Sequence, residues 1–210
     1  MEKYHKIQTI FKRDPETKYK TLLWGEFSKP EFEYLADKEW IFTEKIHGMN
    51  MRVHFDIETK EVTIGGRTDR AQIPQDLIDK INELFPAEEF ANLFDCSVTL
   101  YGEGYGAGIQ KGGNLYSPEK SFILFDVMMY GRYSEWGEVE NIADELGCDI
   151  VPVIGKGTLW DALELAKEKY NSVVAVEEYE AEGFVCRLPT ELYNRYGERV
   201  IAKIKSKDFV

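Results

Sequence analysis

The sequence has few cysteines and histidines, and this scarcity argues against two kinds of architecture. Its three cysteines, Cys96, Cys148 and Cys186, are odd in number and widely spaced. They therefore fit a reducing compartment such as the cytoplasm better than a disulfide framework. No CxxC pair occurs, and only three histidines could join the cysteines as ligands. A structural zinc site is not expected.

Long apolar runs and linker-like segments are also missing. No stretch is long and apolar enough to span a bilayer, and the N-terminus has no signal-peptide core. We therefore expect no membrane partner, and no obligate protein partner is indicated. Because no repeat or Ser/Gly-rich linker interrupts the 210 residues, we expect a single domain over residues 1–210.

Basic residues are in the minority, with 26 Lys and Arg against 38 Asp and Glu and a net charge of −12. This balance argues against a protein that holds nucleic acid by bulk attraction, because phosphate contacts need clustered cations. The segment 195–207 is an exception. It contains Arg195, Arg199, Lys203, Lys205 and Lys207, with Glu198 as its one acidic residue. Charge alone therefore leaves open an enzyme that acts on RNA through a local basic face.

The apolar pattern predicts a mixture of strands and helices. The strand candidates are Met51 to Phe55, Val62 to Ile64, Ser97 to Tyr101, Ser121 to Met128, Gly183 to Arg187 and Val200 to Ile204. Helical spacing is found from Leu77 to Phe85, from Asn141 to Leu146, and after Thr158, which we expect to cap its helix. Strands in hairpins with helices between them predict an α+β domain with largely antiparallel sheets.

Two glycine-rich segments are candidates for a phosphate loop, and both have the wrong spacing. The segment Gly102 to Gly108 is not GxGxxG, because the third glycine would be needed at Ala107. In Gly155-Lys156-Gly157-Thr158 no Ser or Thr directly follows the lysine, as a Walker loop requires. A P-loop ATPase or a kinase is therefore disfavoured.

The segment Thr43 to Asn50 carries the strongest chemical signal. Lys45, at the end of a strand and followed by Gly48, could be a covalent nucleophile at the floor of a nucleotide pocket. KxxG by itself is a weak signal, and a surface lysine beside a turn is the better explanation of this tetrapeptide taken alone.

The segment resembles the nucleotidyl-attachment motif of the covalent nucleotidyltransferases, which include ATP-dependent DNA and RNA ligases and mRNA capping enzymes. Further matches to this superfamily follow in the right order along almost the whole chain. They are Gly65 to Thr68, Leu100 to Gly104, Phe122 to Val127, Ala181 to Val185 and Ile201 to Lys205. The resemblance implies the α+β nucleotidyltransferase fold, with ATP in a cleft between the sheets.

The position five residues after Lys45 indicates the branch of the superfamily. DNA ligases and capping enzymes usually have arginine there, whereas this chain has Asn50. The string from Glu44 to Asn50, and the Gly-Ile-Gln-Lys segment after the Glu103 motif, resemble the nick-sealing RNA ligases of bacteriophages and trypanosome editing complexes. Met49 departs from that group, which commonly has a small hydroxyl residue at this position.

The resemblance implies roles for particular residues. Lys45 would attack the α-phosphorus of ATP and carry AMP. Lys203 and Lys205, two apart on a strand, would neutralise the phosphate and hold Lys45 deprotonated by like-charge repulsion. Glu182 and Asp126 would hold Mg²⁺ or Mn²⁺ through hard oxygen ligands.

The remaining implied residues surround the nucleotide. Glu103 would bind the ribose, and Arg67 the sugar or a phosphate. Phe125 would stack on the adenine and Val185 would close its other face, although core packing explains both equally well. The other implied nucleotide contacts are Glu44, His47 and Asn50.

These implications predict an ATP-dependent RNA ligase that joins 5′-phosphate and 3′-hydroxyl RNA ends, with a nicked duplex as the expected substrate. A minimal DNA ligase, a capping guanylyltransferase and an inactive nucleic-acid-binding module are the alternatives. A phage-encoded enzyme in a host cytoplasm would fit the resemblance. We also expect no oligonucleotide-binding or helical C-terminal domain, and hence a weak, salt-sensitive hold on RNA through Arg195, Arg199 and Lys207.

Overall fold

The computed structural model describes residues 1–209 and consists of short strands and helices. In chain order the strands are β1 (Gln8–Thr9), β2 (Phe11–Arg13), β3 (Leu22–Phe27), β4 (Trp40–Glu44), β5 (Met49–Phe55), β6 (Val62–Gly66), β7 (Val98–Tyr105), β8 (Ser121–Met129), β9 (Arg132–Tyr133), β10 (Val153–Gly157), β11 (Gly183–Arg187) and β12 (Ile201–Lys205). The helices are α1 (Pro30–Tyr34), α2 (Gln75–Leu84), α3 (Ala87–Leu93), α4 (Gly113–Tyr116), α5 (Trp136–Glu145) and α6 (Leu159–Lys167), followed by a 3₁₀ helix (Ser206–Phe209). The predicted α+β class with largely antiparallel sheets is confirmed.

The chain forms two compact units, each assembled from segments that are distant in sequence. Unit 1 comprises Met1–His5, Ile46–Val151 and Val174–Tyr179, and unit 2 comprises Lys6–Lys45, Pro152–Val173 and the chain from Glu180 onward. Because the chain passes repeatedly from one unit to the other, no linker marks a boundary in the sequence. The expectation of a single domain stays a prediction. None of the helices in residues 1–209 has the length and apolarity needed to cross a lipid bilayer.

Unit 1 is built on an antiparallel sheet of order β6-β5-β7-β8-β9. The alternation in β5 predicts one solvated face, but Arg52 in its middle is fully buried. Its guanidinium donates to the carbonyls of Gly66 (2.7 Å) and Met1 (3.1 Å) and to Asp69 (2.9 Å). These acceptors make burial of the charge tolerable, and the N-terminal segment supplies one of them.

The helices of unit 1 follow the apolar spacing of the sequence. The buried face of α2 includes Leu77 and Ile81. Pro86 ends that helix and also precedes the first turn of α3, as suits a residue without a backbone N–H. In α3, Phe90 stacks on Phe55 of the sheet with ring centroids 5.5 Å apart.

Unit 2 is built on a sheet of order β1-β12-β11-β4-β10, in which only the β1–β12 pair is parallel. Its core contains Trp40, Phe42 and Phe184 from the sheet and Leu163 from α6. Thr158 caps α6 as predicted. Its hydroxyl accepts the N–H of Asp161, whose carboxylate accepts the N–H of Thr158 in return. The β2–β3 hairpin belongs to the same unit.

Candidate active site

Three strand ends meet at one edge of the sheet in unit 2. Lys45 directly follows β4, Glu182 directly precedes β11, and Lys205 is the last residue of β12. The antiparallel register sets Gly183 opposite Lys205, and the backbone N–H of Lys45 donates to the carbonyl of Gly183 at 2.9 Å. Pairing of β11 with both neighbours therefore brings Lys45, Glu182 and Lys205 together.

The side chains of these residues are in direct contact. Nζ of Lys45 lies 2.6 Å from Oε2 of Glu182, and Nζ of Lys205 lies 3.0 Å from Oε1 of the same carboxylate. The three side chains are 18–25% exposed, so the group is sheltered yet open to a ligand. Lys45, Glu182, Lys203 and Lys205 are called the lysine–glutamate cluster below.

The Glu182 carboxylate is held in its charged form. Burial by itself raises its pKa, but the positive charges and hydrogen bonds of Lys45 and Lys205 outweigh burial, and the net pKa is lowered. Within the cluster, the ionised Glu182 thus forms ion pairs with Lys45 and Lys205. A carboxylate shared in this way also fixes both ammonium groups in position.

Lys203 is two residues before Lys205 and pairs with Val185 of β11. Side chains two apart on a strand point to the same face, as predicted. The pKa of Lys203 is lowered to about 8, first by burial and then by the charges of Lys205, Lys45 and Lys6. Val185 is half-buried beside this lysine. Like-charge repulsion thus contributes to the lowered pKa of Lys203, whereas the effect expected of it on Lys45 stays a prediction.

Glu44, predicted as a nucleotide contact, is the buried last residue of β4, directly before Lys45. Its side chain is 1% exposed and accepts hydrogen bonds from the Ser172 hydroxyl and from the backbone N–H of Val173 (3.0 Å). Burial raises the pKa of Glu44 although both hydrogen bonds oppose the change. In this structure Glu44 anchors the 172–173 segment beside the strand that carries Lys45, and a nucleotide contact stays a prediction.

Gly183 is required by the backbone at the junction between Glu182 and β11. Its φ is +136°, and a Cβ atom there would lie 2.1 Å from the carbonyl oxygen of Ile204. A side chain would therefore push β11 away from β12 and separate Glu182 from Lys205.

A second group of predicted residues lies in unit 1. Asn50 of β5 pairs with Glu103 of β7, so their side chains share a face of the sheet. Gly48 packs so closely on β7 that a Cβ there would lie 2.2 Å from the Gly104 carbonyl oxygen. Among the described residues, Oδ1 of Asn50 is buried without a hydrogen-bond partner. Such an atom is a candidate acceptor for a ligand donor.

Three further predicted residues of unit 1 lie in different surroundings. Phe125 is the extra residue of a bulge in β8, half-buried and edge-on to Tyr4 with centroids 5.0 Å apart. Asp126 is fully buried and accepts the Tyr4 hydroxyl at 2.7 Å. Its metal role stays a prediction. Arg67 is exposed just after β6.

Some residues that support the site were not singled out from the sequence. Ser172 holds Glu44, and the Tyr179 hydroxyl lies 3.2 Å from Nδ1 of His47. Both lie in the irregular segment 171–180, where periodicity gives no signal. Their partners are more than a hundred positions away in the chain, so no local pattern identifies them.

The expectation of an exposed basic face that includes Arg199 is wrong. The Arg199 side chain is 2% exposed and forms an ion pair with Glu191 through two of its nitrogens. The sequence pattern did not indicate this ion pair, because Glu191 lies in an irregular segment before β12, where periodicity gives no signal. Arg195 and Lys207 are exposed as expected.

The sequence matches a model of the RNA ligase family over residues 38–205. The chain belongs to the RNA ligase family. The matched region begins just before β4 and ends at Lys205, so it contains the whole lysine–glutamate cluster and the unit 1 residues that were predicted from the sequence. A search of curated proteins found no match.

Solved structures of Naegleria gruberi RNA ligase are similar to this RNA ligase family chain. A variant of that ligase with ATP and Mn has a TM-score of 0.69 at 19% identity, covering 98% of this chain and 56% of that one. An apo variant has a TM-score of 0.66 at 20% identity, covering 86% and 52%. This likeness shows the nucleotidyltransferase fold. The chain spans only 52–56% of the length of these two ligase chains.

Proposed function

We propose that this chain is an ATP-dependent RNA ligase that carries AMP on Lys45 and joins RNA ends with a 5′-phosphate and a 3′-hydroxyl. The observation that carries the proposal is the contact of Lys45 with Glu182, and of Glu182 with Lys205, at the edge of the unit 2 sheet. Membership of the RNA ligase family supports it, as does the similarity to a ligase solved with ATP and Mn.

In the first step the ε-amine of Lys45 attacks the α-phosphorus of ATP. A P–N bond forms, the bond from the α-phosphorus to the bridging oxygen breaks, and pyrophosphate leaves with the electron pair. The amine must be neutral when it attacks, so the ε-ammonium group must first leave its contact with Glu182 and lose a proton to solvent. Lys203 and Lys205 supply fixed positive charge for the developing phosphoryl charge, which stabilises the transition state.

In the second step an oxygen of the RNA 5′-phosphate attacks the phosphorus of lysyl-AMP. The P–N bond breaks and Lys45 recovers its amine. In the third step the 3′-hydroxyl attacks the 5′-phosphorus of the adenylated RNA and its proton passes to solvent, while the P–O bond to AMP breaks and AMP leaves with the electron pair. Both steps depend on holding the reacting atoms in line, so the rigid strand ends that carry the lysine–glutamate cluster favour them.

With ATP phosphates present, Glu182 would hold a divalent cation through the carboxylate that here contacts Lys45 and Lys205. Its carboxylate is ionised, and one carboxylate together with substrate phosphates is a common set of ligands for Mg²⁺. No group of three or more metal-ligating side chains is present within residues 1–209, so phosphate oxygens of ATP would complete the set. When bound, Mg²⁺ or Mn²⁺ would offset negative charge on the phosphates.

A joining assay with two forms of the substrate tests the proposal. We expect wild type to join 5′-phosphorylated RNA in the presence of ATP, and Lys45→Ala to lose this activity. The variant should retain part of its activity on pre-adenylated RNA, because the nucleophile is needed only for the first step. Lys38→Ala, which removes an exposed lysine of the same unit, should behave like wild type. Equal activity of Lys45→Ala and wild type on unadenylated ends would disprove the proposal.

A further inference from the structure

The β2–β3 hairpin of unit 2 lines a large cationic cavity beside Lys203 and Lys205. The cavity has a volume of about 870 Å³ and fourteen lining residues, of which seven are lysine or arginine and one, Asp208, is acidic. Besides Lys203 and Lys205, the cations are Lys6, Lys12, Arg13, Lys20 and Lys207. This charge is opposite in sign to the net charge of −12 of the chain. It therefore marks a local site for phosphate groups.

Two of these cations already have partners within the protein. Arg13 forms an ion pair with Asp208 at 2.6 Å and also donates to the carbonyls of Tyr19 (3.4 Å) and Lys20 (3.2 Å). Lys12 forms an exposed pair with Glu26 at 3.5 Å. Lys6, Lys20 and Lys207 are exposed, and within residues 1–209 no carboxylate lies at ion-pair distance from them. Their charge is therefore available to a ligand.

The hairpin also presents an aromatic ring to the cavity. Tyr19 is 64% exposed and lines the cavity next to Lys20. Both Lys18 (φ +55°) and Tyr19 (φ +61°) have left-handed backbone conformations, which are costly for residues with a side chain. The turn is held in this form by the bond from the Tyr19 N–H to the Asp14 carbonyl (2.9 Å). Strain maintained by surrounding contacts is typical of functional segments.

We propose that Tyr19, Lys20 and Lys207, called the hairpin surface, bind an unpaired stretch of the RNA strand that leads to the reacting end. Lys20 and Lys207 would contact its phosphates and Tyr19 would stack on a base. This inference rests on the proposed ligase function and adds to it the class of RNA, an unpaired strand at this surface where the resemblance implies a nicked duplex. A cationic groove with exposed aromatic rings is the usual means of binding single strands.

The ATP triphosphate is the competing occupant of the same cavity, and two features favour RNA. A volume of about 870 Å³ is in the upper part of the range for small-molecule sites, and is far more than a pyrophosphate group needs. An exposed aromatic ring contributes nothing to holding pyrophosphate, whereas it offers a stacking partner to a nucleobase. Lys6, beside Lys203, could serve either ligand and is left out of the hairpin surface.

The test compares Tyr19→Ala and the double variant Lys20→Ala/Lys207→Ala with wild type. A 5′-phosphorylated single-stranded RNA with a 3′ fluorophore is titrated by anisotropy across a salt series, and AMP-adduct formation is followed separately with ATP alone. We expect Tyr19→Ala to weaken RNA binding roughly tenfold, while Tyr19→Phe retains most of the affinity. The double variant should lower the slope of log affinity against log salt by about 1.4, from two lost phosphate contacts.

The matched control is Lys38→Ala/Lys156→Ala, which removes two exposed lysines of unit 2 that do not line the cavity. It should leave both RNA affinity and salt slope unchanged. Unchanged RNA affinity in the hairpin variants would overturn the inference. So would a rise in the KM for ATP with RNA binding intact, because the cavity would then hold the triphosphate. Failure of wild type to form any adduct would count against the ligase proposal alone, since RNA binding is measured without ATP.

Discussion

Nζ of Lys45 lies 2.6 Å from Oε2 of Glu182, which is a charge-assisted hydrogen bond between the proposed nucleophile and an ionised carboxylate. A lysine held as an ammonium ion has no lone pair with which to attack phosphorus. Glu182 therefore both orients Lys45 and must release it before the first step. The second oxygen of Glu182 accepts from Lys205 in the same way. One carboxylate thus controls the positions of two lysines.

Replacing Glu182 by Gln tests whether its carboxylate positions the two lysines. The amide keeps the shape but removes the charge, so Lys45 and Lys205 repel each other without a counter-ion. We expect the single-turnover rate of AMP-adduct formation to fall by roughly 100-fold, as for loss of a residue that orients a reacting group. Glu180→Gln, two residues away and exposed, is the control. A Glu182→Gln enzyme that adenylates at the wild-type rate would show that the contact is incidental.

The lowered pKa of Lys203, about 8, predicts a pH dependence of nucleotide binding. The side chain is charged below this pH and becomes neutral above it, whereas a bound phosphate favours the charged form. Affinity for α,β-methylene ATP, which cannot transfer AMP, should therefore weaken by up to about fivefold between pH 8 and pH 9. Calorimetric titration at several pH values would measure it.

Lys203→Arg provides the matched control for this pH series, because a guanidinium stays charged throughout the range. Its affinity should be nearly flat from pH 7 to about pH 9. If wild type is equally flat, Lys203 does not contact the phosphates.

Gly183→Ala should destabilise the protein. The new methyl group would meet the Ile204 carbonyl oxygen at a backbone φ of +136°. We expect a loss of about 3 kcal/mol or more in the free energy of unfolding by urea, together with slower adenylation. Gly137→Ala lies in α5 with open space around it, and should be neutral or slightly stabilising. Similar stabilities of the two variants would argue against the strand-end geometry.

The raised pKa of Glu44 predicts that its contribution to stability depends on pH. Because the folded state holds the proton more tightly than the unfolded state, stability falls as pH rises from about 4.5 through the folded pKa. Glu44→Gln removes this dependence, so the stability of wild type relative to the variant should decline over that interval. Urea unfolding at several pH values measures the difference, with Glu39→Gln as an exposed control. A constant difference would mean that Glu44 titrates normally.

Local features of the chain predicted most of the regular structure. The strand at Gly183–Arg187 lies where its apolar and β-branched residues indicate, and the helix after Thr158 begins with the expected cap. Burial of Arg52 was not predictable, because it depends on a carbonyl of Met1 brought from a distant part of the chain. An alternating pattern depends on neighbouring residues, whereas the residues that cover a face of the sheet can come from distant parts of the chain.

The candidate active site was likewise predictable in its residues but not in its long-range contacts. Motif resemblance selected Lys45, Glu182 and Lys205, and the structure brings all three into contact. The exact pairing required the register of β4, β11 and β12, which sequence spacing does not determine. The low pKa of Lys203 depends on burial, and the role of Ser172 depends on a loop without periodicity.

The AMP adduct itself is the most direct test of the central claim. Purified protein is incubated with ATP and Mg²⁺, and its intact mass is compared with that of untreated protein. The modified residue is then located by peptide mapping under conditions that preserve the phosphoramidate bond. We expect a gain of one AMP, located on Lys45, absent from Lys45→Ala and reversed by added pyrophosphate. An unchanged mass in active, folded wild type, or an adduct mapped to another lysine, would contradict it.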